Sequence, residues 1–165
     1  MNDVVNKEKN KIENIDNQQF VTFFIGKEIY GVDVLRVQEI IGITEITFVP
    51  NSLPFMKGVI NLRGNVVPVL DMRKKLNMPD REYDQTTVII IVEVKGRSIG
   101  MIVDAVSDVI DITTESIQNT PHFTAKIETD YIKSIGRKDD DLIIMLEVDK
   151  ILSTDDLESI TVKES

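Results

Sequence analysis

One pattern is written twice in this chain, so a fold that serves one copy must serve both. Laying GKEIYGVDVLRVQEII, from Gly26, over KGRSIGMIVDAVSDVI, from Lys95, puts Gly31 on Gly100 at a shift of 69 positions. Laying FMKGVINLRGNVVPVLDMRKKL, from Phe55, over YIKSIGRKDDDLIIMLEVDKIL, from Tyr131, matches Phe55 with Tyr131, Lys57 with Lys133, Asp71 with Glu147 and Leu76 with Leu152, at a shift of 76. The order is A-B-A′-B′, two copies of one supersecondary plan. Apolar alternation alone makes any two β-hairpins look alike. The retained lysine, acid and terminal leucine are not explained by alternation.

Both copies consist of short β-branched and apolar runs separated by Gly, Asn and Pro, the mark of strands joined by tight turns. Residues 1–19 are rich in Asn, Lys, Asp and Glu and cannot bury enough surface to offset ordering entropy, which predicts a flexible N-terminal tail. Strands are expected at Phe20–Ile25, Glu28–Val32, Val37–Ile41, in the hairpin Gly58–Asp71, and at Thr87–Val94, Ser98–Val103, Val106–Ile112, Tyr131–Ile135 and Leu142–Val148. TVIIIVEV, at Thr87–Val94, is too apolar for an edge and is expected to be buried on both faces. Asp33 stands before a short helical turn, and Asp71 is placed to cap a helix over Met72–Leu76. Met56, Met101 and Met145 fall on strand patterns and read as core filler. Residues 113–125 are the least regular stretch. A short C-terminal helix is expected from Asp149, with Asp155–Ser165 fraying into a polar tail. The folded unit is therefore placed at 20–153, with 154–165 as helix or tail. About ten strands and few helical residues make the chain all-β. Such apolar strands are hazardous as edges, which favours closed barrels over an open sheet.

The two B hairpins differ most at their tips. The first tip is Asn61-Leu62-Arg63-Gly64-Asn65 and the second is Arg137-Lys138-Asp139-Asp140-Asp141. Structural demands on the two are alike, so the divergence points to a task given to one tip alone. Arg63 is an always-charged planar fork of five donors on a rigid loop, suited to a partner's carboxylates or carbonyls. Leu62 beside it is the apolar residue best placed for exposure to a partner. Glu39, alternating with Ile40, reads as an outward-facing strand residue. Pro68 lacks an N–H and so belongs at an edge or bulge, leaving backbone partly unpaired near the first tip.

The formal net charge of −9 and the 5% aromatic content argue against nucleic acid, against an anionic membrane surface, and against a barrel that stacks oligonucleotide bases or sugars. With no Cys and a single His, His122, neither a zinc site nor a catalytic triad can be placed, so a small hydrolase is a poor reading. The Asp139–Asp141 run lacks the alternating spacing that wraps Ca²⁺. No cofactor or metal is expected. No apolar run approaches a membrane span, and the N-terminus has no signal-peptide core, which makes a cytoplasmic protein the default.

VQEII, FMKGVINLRGNVVPVLDMRKKL, TVIIIVEVKGRSIGMIVDAVSDVIDI and YIKSIG together resemble the CheW-like family of bacterial chemotaxis adaptors, a fold shared with the regulatory domain of the histidine kinase CheA and with CheV. The resemblance spans Phe20–Leu152. It implies two packed SH3-like five-stranded barrels sharing a core, with short helices, and a non-catalytic adaptor that links the cytoplasmic tips of methyl-accepting chemotaxis receptors to CheA in a ternary array. The length points to the stand-alone adaptor, monomeric when free and recruited to membrane receptor arrays without entering the bilayer. It also implies partner-binding roles for Val37, Glu39, Leu62 and Arg63, with Asn61 and Gly64 at the same tip. Val109 is placed in the groove between the barrels.

Overall fold

The computed structural model describes residues 17–119 and 131–160. Its strands are β1 (Asn17–Ile25), β2 (Glu28–Asp33), β3 (Val37–Gly42), β4 (Met56–Leu62), β5 (Asn65–Asp71), β6 (Val88–Val94), β7 (Arg97–Val103), β8 (Ala105–Thr113), β9 (Ile117–Asn119), β10 (Ile132–Lys138) and β11 (Asp141–Leu146). Two short α-helices follow the B hairpins, α1 (Met72–Lys75) directly and α2 (Thr154–Ile160) after a 3-10 turn. The strands form two sheets, ordered β8-β1-β2-β11-β10-β9 and β3-β6-β7-β5-β4.

The repeat explains both orders. Under the two shifts β3, β6, β7, β5 and β4 correspond to β8, β1, β2, β11 and β10, so the sheets are the same sheet built twice. Neither is built from a single copy. Hairpin β1–β2 of A pairs with β8 of A′ and with β11 of B′, while hairpin β6–β7 of A′ pairs with β3 of A and with β5 of B. Phe20–Ile25 therefore crosses out of its own copy. In chain order, β3 to β7 make an inner barrel from consecutive strands, and β1, β2 and β8 to β11 make an outer barrel around that insertion.

Each sheet is closed in the same way. After β8 the chain passes through a 3-10 turn into β9, which pairs with the far strand β10. After β3, Thr47 makes an isolated bridge to Val59 of the far strand β4, with N···O distances of 2.8 and 2.9 Å. The correspondence reaches irregular details. The bulge at Met56/Gly58 recurs at Ile132/Ser134. The hydrogen bond from Asp71 N–H to the Phe55 carbonyl recurs from Glu147 N–H to the Tyr131 carbonyl, at 2.8 and 2.7 Å. Bulges are local departures that random hairpins do not share, so their recurrence supports a real repeat.

Gly31 and Gly100 have one shared reason. Each stands at a parallel crossing, Gly31 opposite Met145 and Gly100 opposite Val69. A Cβ at Gly100 would lie 2.8 Å from Ile89 Cγ2, and one at Gly31 would lie 3.2 Å from Ile143 Cγ2. The strand surface there is tight for any side chain, more so at Gly100 than at Gly31.

Three apolar clusters result. Ile60, Val67, Val69, Ile89, Ile91 and Ile102 fill the inner barrel, and Phe20, Ile112, Ile143 and Met145 fill the outer one. The largest cluster, including Phe23, Tyr30, Leu70, Ile90, Val92, Met101 and Leu152, lies between them. β6 alternates between two of these, Ile89 and Ile91 into its own barrel and Ile90 and Val92 into the shared core, which is why it carries no polar residue over that run. Met56, Met101 and Met145 are all buried.

Several expectations change. β1 begins at Asn17 because backbone pairing with β8 continues past the apolar run, so residues 17–19 belong to the sheet. Residues 1–16, with 120–130 and His122, lie outside the described residues. Asp155 to Ile160 is not a polar tail. Leu157 and Ile160, three positions apart on α2, are buried in the shared core. Pro68 lies on β5, between β4 and β7 in the sheet order, and the unpaired backbone expected near the first tip is present beside it. The ladder to β7 covers only Val69–Asp71, so 65–68 of β5 pair on the β4 side alone and a missing N–H at 68 costs the ladder nothing. Asp71 does cap α1, accepting from Arg73 N–H at 3.0 Å, and Asp33 caps the turn at Val34–Arg36.

Candidate protein-interaction site

The first B hairpin ends in a two-residue turn. Leu62 pairs with Asn65, and the central residues Arg63 and Gly64 have φ of 52° and 88°. Asn61 Oδ1 accepts from Gly64 N–H at 2.8 Å and steadies the turn. Positive φ at both central positions matches the twist of the flanking strands and normally selects Asn-Gly. Arginine is an uncommon occupant of the first position, and here it sets the guanidinium at the apex of the hairpin.

From there Arg63 reaches across the barrel seam to Glu39 on β3, the strand at the opposite end of the sheet order. Nη1 lies 3.3 Å from Oε2, and Nη2 donates to Oε1, in a fork-to-fork arrangement. The pair stays wet. The Arg63 side chain is 70% exposed and that of Glu39 29%. The hydrogen bond from Arg63 holds the Glu39 carboxyl below its ordinary value, and the Glu39 carboxylate raises Arg63 in turn.

Glu39 is not an outward-facing residue of a simple strand. It stands opposite Ile91, whose side chain lies in the inner-barrel core, and shares the less exposed phase of β3 with Val37 and Ile41. A bulge between Val37 and Glu39 then separates those two. Val37 stands opposite Val92 and packs against the shared core. Ile40 stands on the shared-core side opposite Ile90 and is exposed, because that core does not cover this end of β3.

Leu62 is half-buried and packs against the inner-barrel core. It is therefore not the most exposed of the apolar candidates. Val109 is, at 52%, on β8 of the outer barrel opposite Val21. The structure thus gathers Glu39, Asn61, Leu62, Arg63 and Gly64 at one rim, sets Val37 one bulge away, and puts Val109 on the other barrel.

The rim has no counterpart. The positions corresponding to Arg63 and Glu39 in the second copy are Asp139 and Asp108, two acids. That seam is held by Lys138 Nζ on the Asp111 carbonyl, at 3.2 Å. Apolar exposure, by contrast, does repeat. Ile40 corresponds to Val109 and Val66 to Leu142, and all four are exposed. Ile40, Val66 and Leu142 were not among the sequence candidates. The apolar residue after each tip, matched between copies, was the available signal.

A family model described as the CheW-like domain matches residues 19–156. The chain is 39% identical over 140 residues to chemotaxis protein CheW of Klebsiella aerogenes, covering 85% of this chain and 84% of that protein. It is 32% identical over 142 residues to chemotaxis protein CheW of Bacillus subtilis, covering 86% and 91%. The crystal structure of scaffolding protein TtCheW from Thermoanaerobacter tengcongensis superposes with a TM-score of 0.78 at 35% identity, covering 84% of this chain and 94% of that one. With a repeated two-barrel fold, a family model over most of its length and relatives aligned nearly end to end, this chain belongs to the CheW-like domain family.

Proposed function

We propose that this chain is a non-catalytic chemotaxis adaptor that couples the cytoplasmic tips of methyl-accepting receptors to the regulatory domain of the histidine kinase CheA. In this reading it is monomeric when free and cytoplasmic, gathered at receptor arrays by protein contacts alone. Among the described residues no helix is long and apolar enough to cross a membrane.

One observation carries the reading, the Arg63–Glu39 pair at the inner-barrel rim. Arg63 has five N–H donors and uses two on Glu39, so the rest are free to meet a partner's carboxylates or carbonyls. Glu39 already fixes the guanidinium's orientation, which lowers the ordering cost of binding. The second copy carries two acids at these positions, so the pair is not a requirement of the barrel. Half-buried Leu62 and exposed Ile40 and Val66 supply apolar contact near a polar centre, the composition of a small protein interface.

The test is a pull-down with receptor cytoplasmic fragments and with the CheA regulatory domain, each alone and then together. Capture of either by the wild-type chain, lost with Arg63→Glu, supports the assignment. Failure to capture either partner, alone or combined, overturns it.

A further inference from the structure

Two ion pairs outside the rim occupy similar places with their charges exchanged, their crossover residues offset by one position, since Asp104 corresponds to Leu35 and Arg36 to Ala105. At the first, Asp104 at the β7–β8 crossover receives Arg73 Nε at 2.9 Å and Nη2 at 2.6 Å, and also Gly26 N–H at 2.7 Å. At the second, Arg36 at the β2–β3 crossover donates through Nη1 and Nη2 to Asp149 at 3.2 and 2.6 Å, and Asp149 also receives Lys95 N–H at 3.3 Å. Gly26 corresponds to Lys95 at the shift of 69, and Arg73 to Asp149 at the shift of 76. In one clamp the crossover supplies the acid. In the other it supplies the base.

Each clamp sits just past a parallel ladder, the first continuing β5 against β7 (Asp71 opposite Ile102) and the second continuing β11 against β2 (Met145 opposite Gly31). The repeat allows a different assembly, in which β5 lies against β2 and β11 against β7 and each copy closes on itself. Packing separates the two only in part: Gly31 and Gly100 offer the same opening and most apolar positions match, while Asp33 stands where Ile102 is buried and Thr22 where Ile91 is buried. Loop closure leans toward the self-closed assembly, because the native one joins β2 to β11 from Asp33 to Asp141 where β7 would reach β11 from Val103, and the logarithmic dependence on length keeps that difference small.

Charge separates them further. In the self-closed assembly Arg73 falls beside Arg36, and Asp149 falls opposite Asp104. We propose that the exchanged clamps, Asp104–Arg73 and Arg36–Asp149, help select which A hairpin each B hairpin joins, by attraction in the interleaved fold and repulsion in the self-closed one. Selection by penalising the wrong partner is how charged positions discriminate between pairings of similar packing.

The test reverses the second, more exposed pair, whose side chains are 38% and 31% exposed against 15% and 10% in the first. The variant Arg36→Asp/Asp149→Arg keeps attraction in the native assembly and creates it in the self-closed one. The neutral variant Arg36→Gln/Asp149→Asn removes the second pair from both. Each is unfolded in denaturant, refolded by dilution, and scored for the fraction of monomer that regains the wild-type amide NMR fingerprint, which a self-closed monomer would not share, and for the Tm of the refolded monomer. The expected order of recovery is wild type, then neutral, then reversed, with the reversed variant at or below about half of wild type and its monomer melting no lower than the neutral one. Equal recovery in all three overturns the proposal. So does a reversed variant that melts below the neutral one or yields no monomer, since native geometry and not selection then accounts for the loss.

Discussion

Arg63 and Glu39 meet across the seam of the inner barrel from opposite ends of its sheet order, 24 positions apart in the chain. The contact joins a hairpin apex to an edge strand and leaves both groups in solvent. Exposed ion pairs contribute little to stability. The pair is better understood as a fixed orientation for a charged group that awaits something else.

Reversing the arginine separates these roles. Arg63→Glu is expected to weaken capture of receptor fragments by about tenfold or more, while Tm stays within about 3 °C of wild type. The variant keeps a side chain at positive φ, so backbone strain is held constant. A melt lowered by much more than that assigns Arg63 to the fold.

Exchanging the pair asks whether the partner reads the arginine or only the ion pair. In Arg63→Glu/Glu39→Arg the internal contact can re-form with its polarity inverted. Binding is expected to stay lost, because the guanidinium has left the apex. Recovery of wild-type binding would show that the pair acts only by bracing the hairpin. Glu39→Lys alone is expected to impair capture with the fold retained.

The second tip supplies the control. Replacing Asp139, Asp140 and Asp141 with Asn is expected to change receptor capture by less than about threefold, since these exposed residues have no partner-oriented counterpart of Arg63. A loss equal to that of Arg63→Glu would remove the contrast between the tips as support for the site.

Glycine substitutions should rank by what a Cβ meets. At Gly58, φ is 155° and a Cβ would lie 2.2 Å from the Thr47 carbonyl oxygen, which closes the barrel. Gly58→Ala is expected to cost about 3 kcal/mol or more. Gly100→Ala, against branched Ile89 at 2.8 Å, should cost less, and Gly31→Ala, facing Ile143 at 3.2 Å, least. Chemical denaturation of the three variants checks the order.

Acid sensitivity should pass through Asp104. Burial alone would raise its carboxyl, yet hydrogen bonds from Arg73 and Gly26 hold it below the ordinary value of 3.8. A carboxyl lowered by folding stabilises at pH above its unfolded value, and that contribution fades as pH falls through the folded one. Asp104→Asn is expected to lose about 2–4 kcal/mol at neutral pH. Its deficit relative to wild type should narrow once the pH drops below 3.8. A deficit independent of pH would show that packing, not charge, holds the corner.

Most strands could be read from the chain because their turns and apolar runs are local signals. Ile25-Gly26-Lys27-Glu28 and Val94-Lys95-Gly96-Arg97 each enclose a two-residue hairpin loop. Pairing between distant strands was not legible. β2 and β7 present similar apolar patterns to β5, and the charges proposed to favour one pairing, Arg36, Arg73, Asp104 and Asp149, each look like surface charges when read singly. The unpaired backbone beside Pro68 was legible, but its place on an interior strand was not, for a related reason. Its lost N–H matters only if a strand lies on that side, and β7 pairs with β5 only from Val69. Leu157 and Ile160 were taken for tail because α2 has only those two apolar anchors among Asp and Glu. The rim was legible as residues, since divergence of the two tips singled out Arg63. Its contact with Glu39 was not, because it depends on how the barrel closes.

The nesting of one barrel inside the other has a consequence in time. The inner barrel uses consecutive strands from Val37 to Val103, so a chain emerging from synthesis can close it while the remainder is still being made. The outer barrel holds its first hairpin open until β11 ends at Leu146. A newborn chain would therefore carry its Arg63 rim finished early, beside an unclosed half whose apolar strands wait for their last partners, and that interval is when it is most exposed to mispairing.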